Sequence, residues 1–234
     1  VAHVNVPARF DRYQLTNAQA SVAWMRGDHV KADRLYRELA ELRRRMGHGD
    51  VPFAAEDFQS IAENLSMSGK FLEALAFLDT APRFKQVEGM AAGGERTADL
   101  IDEARARVLI DSGSAAAAIN LIPAEDGPMT GFDDGLRRLR GEAQCALGQR
   151  GEGLARLLSV IQFYGPERHP ASPQIARDRA VAALCAVRAG KRALAEGLAR
   201  QAREAFARQP AVSPYFKAPL VAVERELGLK LPPV

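Results

Sequence analysis

Cysteine is nearly missing from this chain. Its 234 residues include two, Cys145 and Cys185, too few for a disulfide framework, so a reducing, cytoplasmic setting is the simplest expectation. The two cysteines, 40 residues apart in sequence on different predicted helices, are expected to be small buried apolar groups. Aromatic residues make up 6% of the chain, with Trp24 the one tryptophan. Val, Ile and Thr together number 26 against 42 Ala, a ratio that disfavours sheet and favours helix, because Ala loses no side-chain entropy in a helix. Uncharged apolar runs such as Ala180 to Val187 fall far short of the ~20 residues that a membrane span needs. There is no glycine period of the collagen kind, and the 47% hydrophobic content is too high for a disordered chain. The chain starts at Val1 with no basic-then-apolar leader, so it is expected to be a processed product or a piece of a longer polypeptide.

The groups that chemistry requires are equally sparse. The four histidines, His3, His29, His48 and His169, have no His or Cys three or four residues away, so no helical metal pair is expected. Gly69-Lys70 lacks the upstream Gly and the following hydroxyl residue of a phosphate loop, and Gly93-Gly94 precedes no phosphate fingerprint. No nucleophile, base and orienting group recur together, so neither catalysis nor a cofactor is expected. Asp102-Glu103 and Asp133-Asp134 fall at a helix start and in a link, where negative charge suits helix polarity and solvation.

Charge is abundant but uneven. Residues 1–45 carry +4, residues 46–135 carry −10, and residues 136–208 carry +8. Such asymmetry governs the choice of partner and the rate of approach rather than the fold. Arg43-Arg44-Arg45 and Arg137-Arg138-Arg140 are basic clusters without interleaved aromatics. With an acidic middle between them, no nucleic-acid partner is expected.

A repeat runs through the chain. Helical segments meet at Gly27, Gly69, Gly113, Gly148 and Gly190, where a left-handed turn residue is needed. Seven residues before these glycines stand Ala20, Ala62, Ala106, Gly141 and Ala183; five after stand Ala32, Ala74, Ala118, Gly153 and Ala195. Chance would place Ala or Gly at all ten about once in a million. Paired helices can approach closely only through small residues. Four residues further on, Tyr36, Leu78, Ile122 and Leu157 are large and apolar, with Ala199 the exception. In the second pair, Phe58, Ile61, Ala62 and Leu65 form one helical stripe and Phe71, Ala74, Leu75 and Leu78 the other.

With small residues on both helices around a glycine turn, the chain resembles the tetratricopeptide repeat (TPR) family. Pro82 follows the second pair where that family often ends a repeat, and the long spacing is closest to the kinesin-light-chain variety. Tyr164-Gly165-Pro166-Glu167-Arg168-His169-Pro170 looks like the Gly-Pro-acid-His-Pro link of those repeats, and Met46 to Asp50 like a degenerate copy. Asp102, Arg105, Arg137 and Arg140 depart from the pattern, standing where the family prefers bulk.

The resemblance implies an all-α protein, a superhelical solenoid forming one domain over 1–234. Five helix pairs are expected at about 10–45, 53–81, 98–122, 135–163 and 173–208, with a capping helix at 215–228. Ser213-Pro214 is a start signal for that last helix, whose Leu220, Val223 and Leu227 would cover the fifth pair. The expected function is non-catalytic: binding of a peptide or partner domain, including another domain of the same polypeptide, in a concave groove. The alternative expectation is a regulatory or sensory domain of a longer bacterial kinase or transcription regulator.

In this family the first helix of each pair lines the concave side. Residues three before and one or four after its small position then form the binding row: Asn17, Ser21, Trp24, Gln59, Glu63, Ser66, Glu103, Arg107, Arg138 and Glu142. Charge reversal at Arg107 and Arg138 is expected to weaken binding of an acidic partner with little loss of stability.

Overall fold

The computed structural model describes residues 8–45, 53–81, 91–123, 134–164, 169 and 171–229. Among them are eleven helices and no strand: α1 Ala8–Arg26, α2 His29–Arg45, α3 Phe53–Met67, α4 Phe71–Asp79, α5 Ala91–Asp111, α6 Ala115–Ile119, α7 Asp134–Ala146, α8 Arg150–Tyr164, α9 Pro173–Arg188, α10 Arg192–Ala207 and α11 Pro214–Leu227. The chain divides into two compact units, 1–108 and 109–234, with the boundary inside α5. The linking segments Met46 to Asp50, Pro82 to Met90 and Gly165 to Arg168 lie outside the described residues.

All five turns have one construction. Gly27, Gly69, Gly113, Gly148 and Gly190 have φ of 77°, 80°, 84°, 86° and 74°, the left-handed region that glycine enters without steric cost. Each glycine N–H donates to the carbonyl three residues back, and the next N–H donates to the carbonyl five back, as in Asp28 to Ala23 and Lys191 to Ala186. That is the Schellman motif, which satisfies the last carbonyls of the first helix. The residue after the glycine then accepts from the residue four ahead (Ala32 to Asp28, Gly153 to Gln149), so the second helix starts at once.

The small positions fall where close approach requires them. Ala20, Ala62, Ala106 and Ala183 are 0% exposed, as are Ala32, Ala74, Ala118 and Ala195, and Gly141 and Gly153 are buried. The residues expected to fill the next gap, Tyr36, Leu78, Ile122, Leu157 and Ala199, are buried as well.

In the N-terminal unit α1 packs on α2, α2 on α3 and α3 on α4. Their core joins Leu35, Tyr36, Leu39, Ile61, Leu65 and Leu78 to Ala104 and Val108 of α5. Phe58 and Phe77 stack at 5.0 Å. Five residues before each turn glycine lies a position that is buried in every pair but the first. Asn64, Val108, Ala143 and Cys185 are buried there, but Val22 of α1, with no described pair before it, is 43% exposed.

In the C-terminal unit α9 is the centre, packed by α7, α8, α10 and α11. Helices on so many sides leave little room, so half of the buried residues of α9 are Ala: Ala176, Ala180, Ala182, Ala183 and Ala186. The last helix begins at Ser213, whose Oγ accepts from the Tyr215 N–H at 3.3 Å. Leu220, Val223 and Leu227 are buried, and α11 packs on α9 and α10. It ends in the same turn as the pairs, with Gly228 at φ 72°.

Candidate functional site

The sequence row separates into two sets with different chemistry. In the N-terminal unit, Asn17 is exposed and Ser21 is half-buried, its hydroxyl hydrogen-bonded to the Tyr36 phenol. Burial and the neighbouring Glu63 carboxylate push that phenol well above its usual range, and the Ser21 bond only partly offsets them. Trp24 is half-buried against the core cluster. Gln59 donates to Glu63 at 3.1 Å, so these two side chains hold each other on α3. Ser66 is 2% exposed and Arg107 5% exposed, with Glu103 intermediate. Ser66 and Arg107 therefore lack the exposure that a groove-lining role requires.

In the C-terminal unit, Arg138 and Glu142 are drawn into a seam between α7 and α9. Arg177, 4% exposed, donates to Glu142 at 3.0 and 3.3 Å. Its Nη2 also lies 3.9 Å from Asp111, and its guanidinium stacks 5.0 Å above the Tyr215 ring, while the Tyr215 hydroxyl donates to Asp111 at 3.0 Å. Arg138 pairs with buried Asp178 at 3.8 Å, and Gln174 donates to the same carboxylate at 3.0 Å. Charge reversal at Arg107 or Arg138 is thus expected to destabilise the fold, contrary to the expectation from sequence, because each cation is largely withdrawn from water.

The cysteines are also a correction. Cys145 of α7 and Cys185 of α9 form a disulfide with Cα atoms 5.5 Å apart. The reducing setting inferred from their scarcity loses its ground. A signal was present: their separation of 40 nearly matches the 42 residues between Gly148 and Gly190. A near-period spacing puts two side chains side by side on neighbouring first helices.

A second buried cation escaped the sequence reading. Arg43, met in the sequence only as part of a basic cluster, is 5% exposed, donates to the Tyr13 hydroxyl and pairs with Asp57 at 3.2 Å. Desolvation nevertheless raises the Asp57 carboxyl to about 6, outweighing the Arg43 charge. His29 has a structural role: its Nδ1 donates to Asn64 Oδ1 at 3.0 Å, and Asn64 Nδ2 returns a bond to the His29 carbonyl at 2.9 Å.

A cleft of about 670 Å³ opens where α6 ends beside α7 and α8. Its arginine, Arg140, is already engaged, donating to the Ile122 and Pro123 carbonyls at 2.7 and 2.9 Å. The lining contains no His, Cys, Ser or Thr. Among the described residues, no group of three His, Cys, Asp or Glu is placed to hold a metal ion, and no helix is long and apolar enough to cross a membrane. No protein-family model matches the chain, and no curated protein resembles it significantly.

Proposed function

We propose that this chain is a TPR-like interaction module, a solenoid of five helix pairs with α11 as its cap, which binds an extended peptide or partner domain without catalysing a reaction. The observation that supports this reading is the fivefold turn of one hydrogen-bond pattern, flanked each time by two buried small residues. Repeated pairs of this kind serve as extended binding surfaces and carry no pre-formed chemistry. Fold alone does not assign function, so the surface must supply the rest.

The favoured surface is the polar row on α1 and α3. Asn17 is open to solvent, Gln59 and Glu63 are half-buried and already aligned by their mutual bond, and Trp24 offers a part-exposed aromatic anchor. The C-terminal members of the row, Arg138 and Glu142, belong to the seam instead.

Trp24 is the sole tryptophan, so the chain's own tryptophan emission, after subtraction of the partner's, reports on this row. Proteins captured from the source cell by the purified chain are titrated against it. Binding is expected to shift the Trp24 emission, and Asn17→Ala with Glu63→Gln is expected to weaken affinity by about 1–3 kcal/mol. A captured partner that binds the double variant equally well and leaves the emission unchanged excludes the row as the site.

A further inference from the structure

Three links join α7 to α9 along the seam: Arg138 to Asp178, Glu142 to Arg177 and Cys145 to Cys185. Two are ionic, and neither depends on the oxidation state of sulfur. The third does. We propose that the Cys145–Cys185 bond is a redox-responsive clasp on this seam, closed by oxidation and opened by a dithiol, and that the two ionic links keep the open form in register.

The two sulfurs differ in access. Cys185 is 1% exposed, with Sγ 3.5 Å from the Arg150 carbonyl, whereas Cys145 is only partly buried. An incoming thiolate therefore reaches Cys145 first. Attack on Cys145 Sγ forms a mixed disulfide and expels Cys185 as thiolate. The reagent's second thiol then displaces Cys145 and leaves as a cyclic disulfide. The bridge has gained two electrons and two protons, and the dithiol has lost them. Glutathione disulfide reverses the balance: Cys145 and Cys185 lose two electrons and two protons, and two glutathione thiols leave.

Responsiveness requires that reduction leave the thiols near each other. The ionic links meet this need, since they join the helices about two turns before the bridge on α9 and one to two turns before it on α7. Cys145 Sγ is also seated against α8: a Cβ built on Gly153 would lie 2.6 Å from it. Both sulfurs therefore sit at a meeting of three helices, where loss of the bond is felt by α7, α8 and α9 together.

The test uses the full chain in glutathione buffers of graded composition, with maleimide labelling and amide hydrogen exchange as readouts. Both cysteines are expected to become labelled in one step as the buffer becomes reducing, and to re-pair on return without an unfolding step. Reduction is expected to speed exchange in α7 and α9 by about tenfold or more while α1 to α4 stay unchanged. The Cys145→Ser/Cys185→Ser variant is expected to match the reduced wild type in every buffer. Three results would each overturn the proposal: cysteines labelled even in oxidising buffer, equal exchange in both redox states, or a bond that resists dithiol until the chain unfolds. The wild-type comparison stands alone if the double variant fails to fold.

Discussion

Glycine-to-alanine substitution should have opposite signs at two positions in the C-terminal unit. A Cβ at Gly153 would lie 2.6 Å from Cys145 Sγ, 2.6 Å from the Gly141 carbonyl oxygen and 2.9 Å from the Cys145 nitrogen. Two of those atoms are backbone of α7, which no rotamer change can clear, so the two helices must separate. Overpacking of that severity falls near the upper end of the usual range, about 3 kcal/mol. The better helix propensity of Ala offsets up to about 1 kcal/mol, leaving Gly153→Ala destabilised by about 2 kcal/mol. At Gly197, on α10, a Cβ meets nothing within 4 Å. There only the propensity term remains, and Gly197→Ala should gain about 0.5–1 kcal/mol. For a chain of this size the melting temperature should fall by about 4–8 °C in the first variant and rise by about 2 °C in the second. Urea unfolding with the disulfide intact checks both midpoints. A Gly153→Ala midpoint at or above that of Gly197→Ala would refute the claim that α7 and α8 touch through their backbones.

Other substitutions probe the remaining packing and charge. Ala74→Leu or Ala62→Leu should cost about 1–3 kcal/mol by forcing the second pair apart, while the exposed Glu73→Gln should be nearly silent; equal denaturant midpoints would break the register. Arg177→Ala leaves Asp111 and Glu142 without their shared cation and should cost about 3–5 kcal/mol, against less than about 0.5 for the exposed Arg200→Ala, as read by urea unfolding. Asp57 binds its proton more tightly folded, at about 6, than unfolded, near the ordinary 3.8. Its contribution to stability is therefore present in full below about pH 4 and lost as pH rises through 6. Wild-type stability should thus carry a downward component of about 2–3 kcal/mol between pH 4 and pH 6.5 that Asp57→Asn removes, visible as a flatter profile of melting temperature against pH.

The helix pairs were legible because their determinants are local and steric. A left-handed turn admits glycine, a close crossing admits Ala or Gly, and both leave a period that can be counted. Ten positions chosen by spacing alone are all buried. The candidate row was legible only in part. Asn17 and Arg138 are both polar residues at the same repeat phase, but one faces water and the other pairs with Asp178. The difference arises from a neighbouring helix, 40 residues away in sequence, that brings its own carboxylate. Ser66 and Arg107 are buried too, since phase along a helix specifies direction but not what lies in that direction. Asp57 and Tyr13 around Arg43 likewise come from three helices and share no motif.

The two-residue turn has a consequence for how such a chain can change length. Within each pair, the block from seven residues before the glycine to five after is held to one register, because both small positions must stay buried, as Gly141 against Gly153. One residue inserted beside Gly148 would rotate α8 by about 100° and carry Gly153 off the contact. The spacing between successive glycines nevertheless ranges from 35 to 44 residues. All of that variation falls outside the thirteen-residue blocks. Insertions and deletions are thus confined to the outer turns and to the links between pairs, so a peptide tag placed after Ala81 should be tolerated where one placed after Gly69 is not.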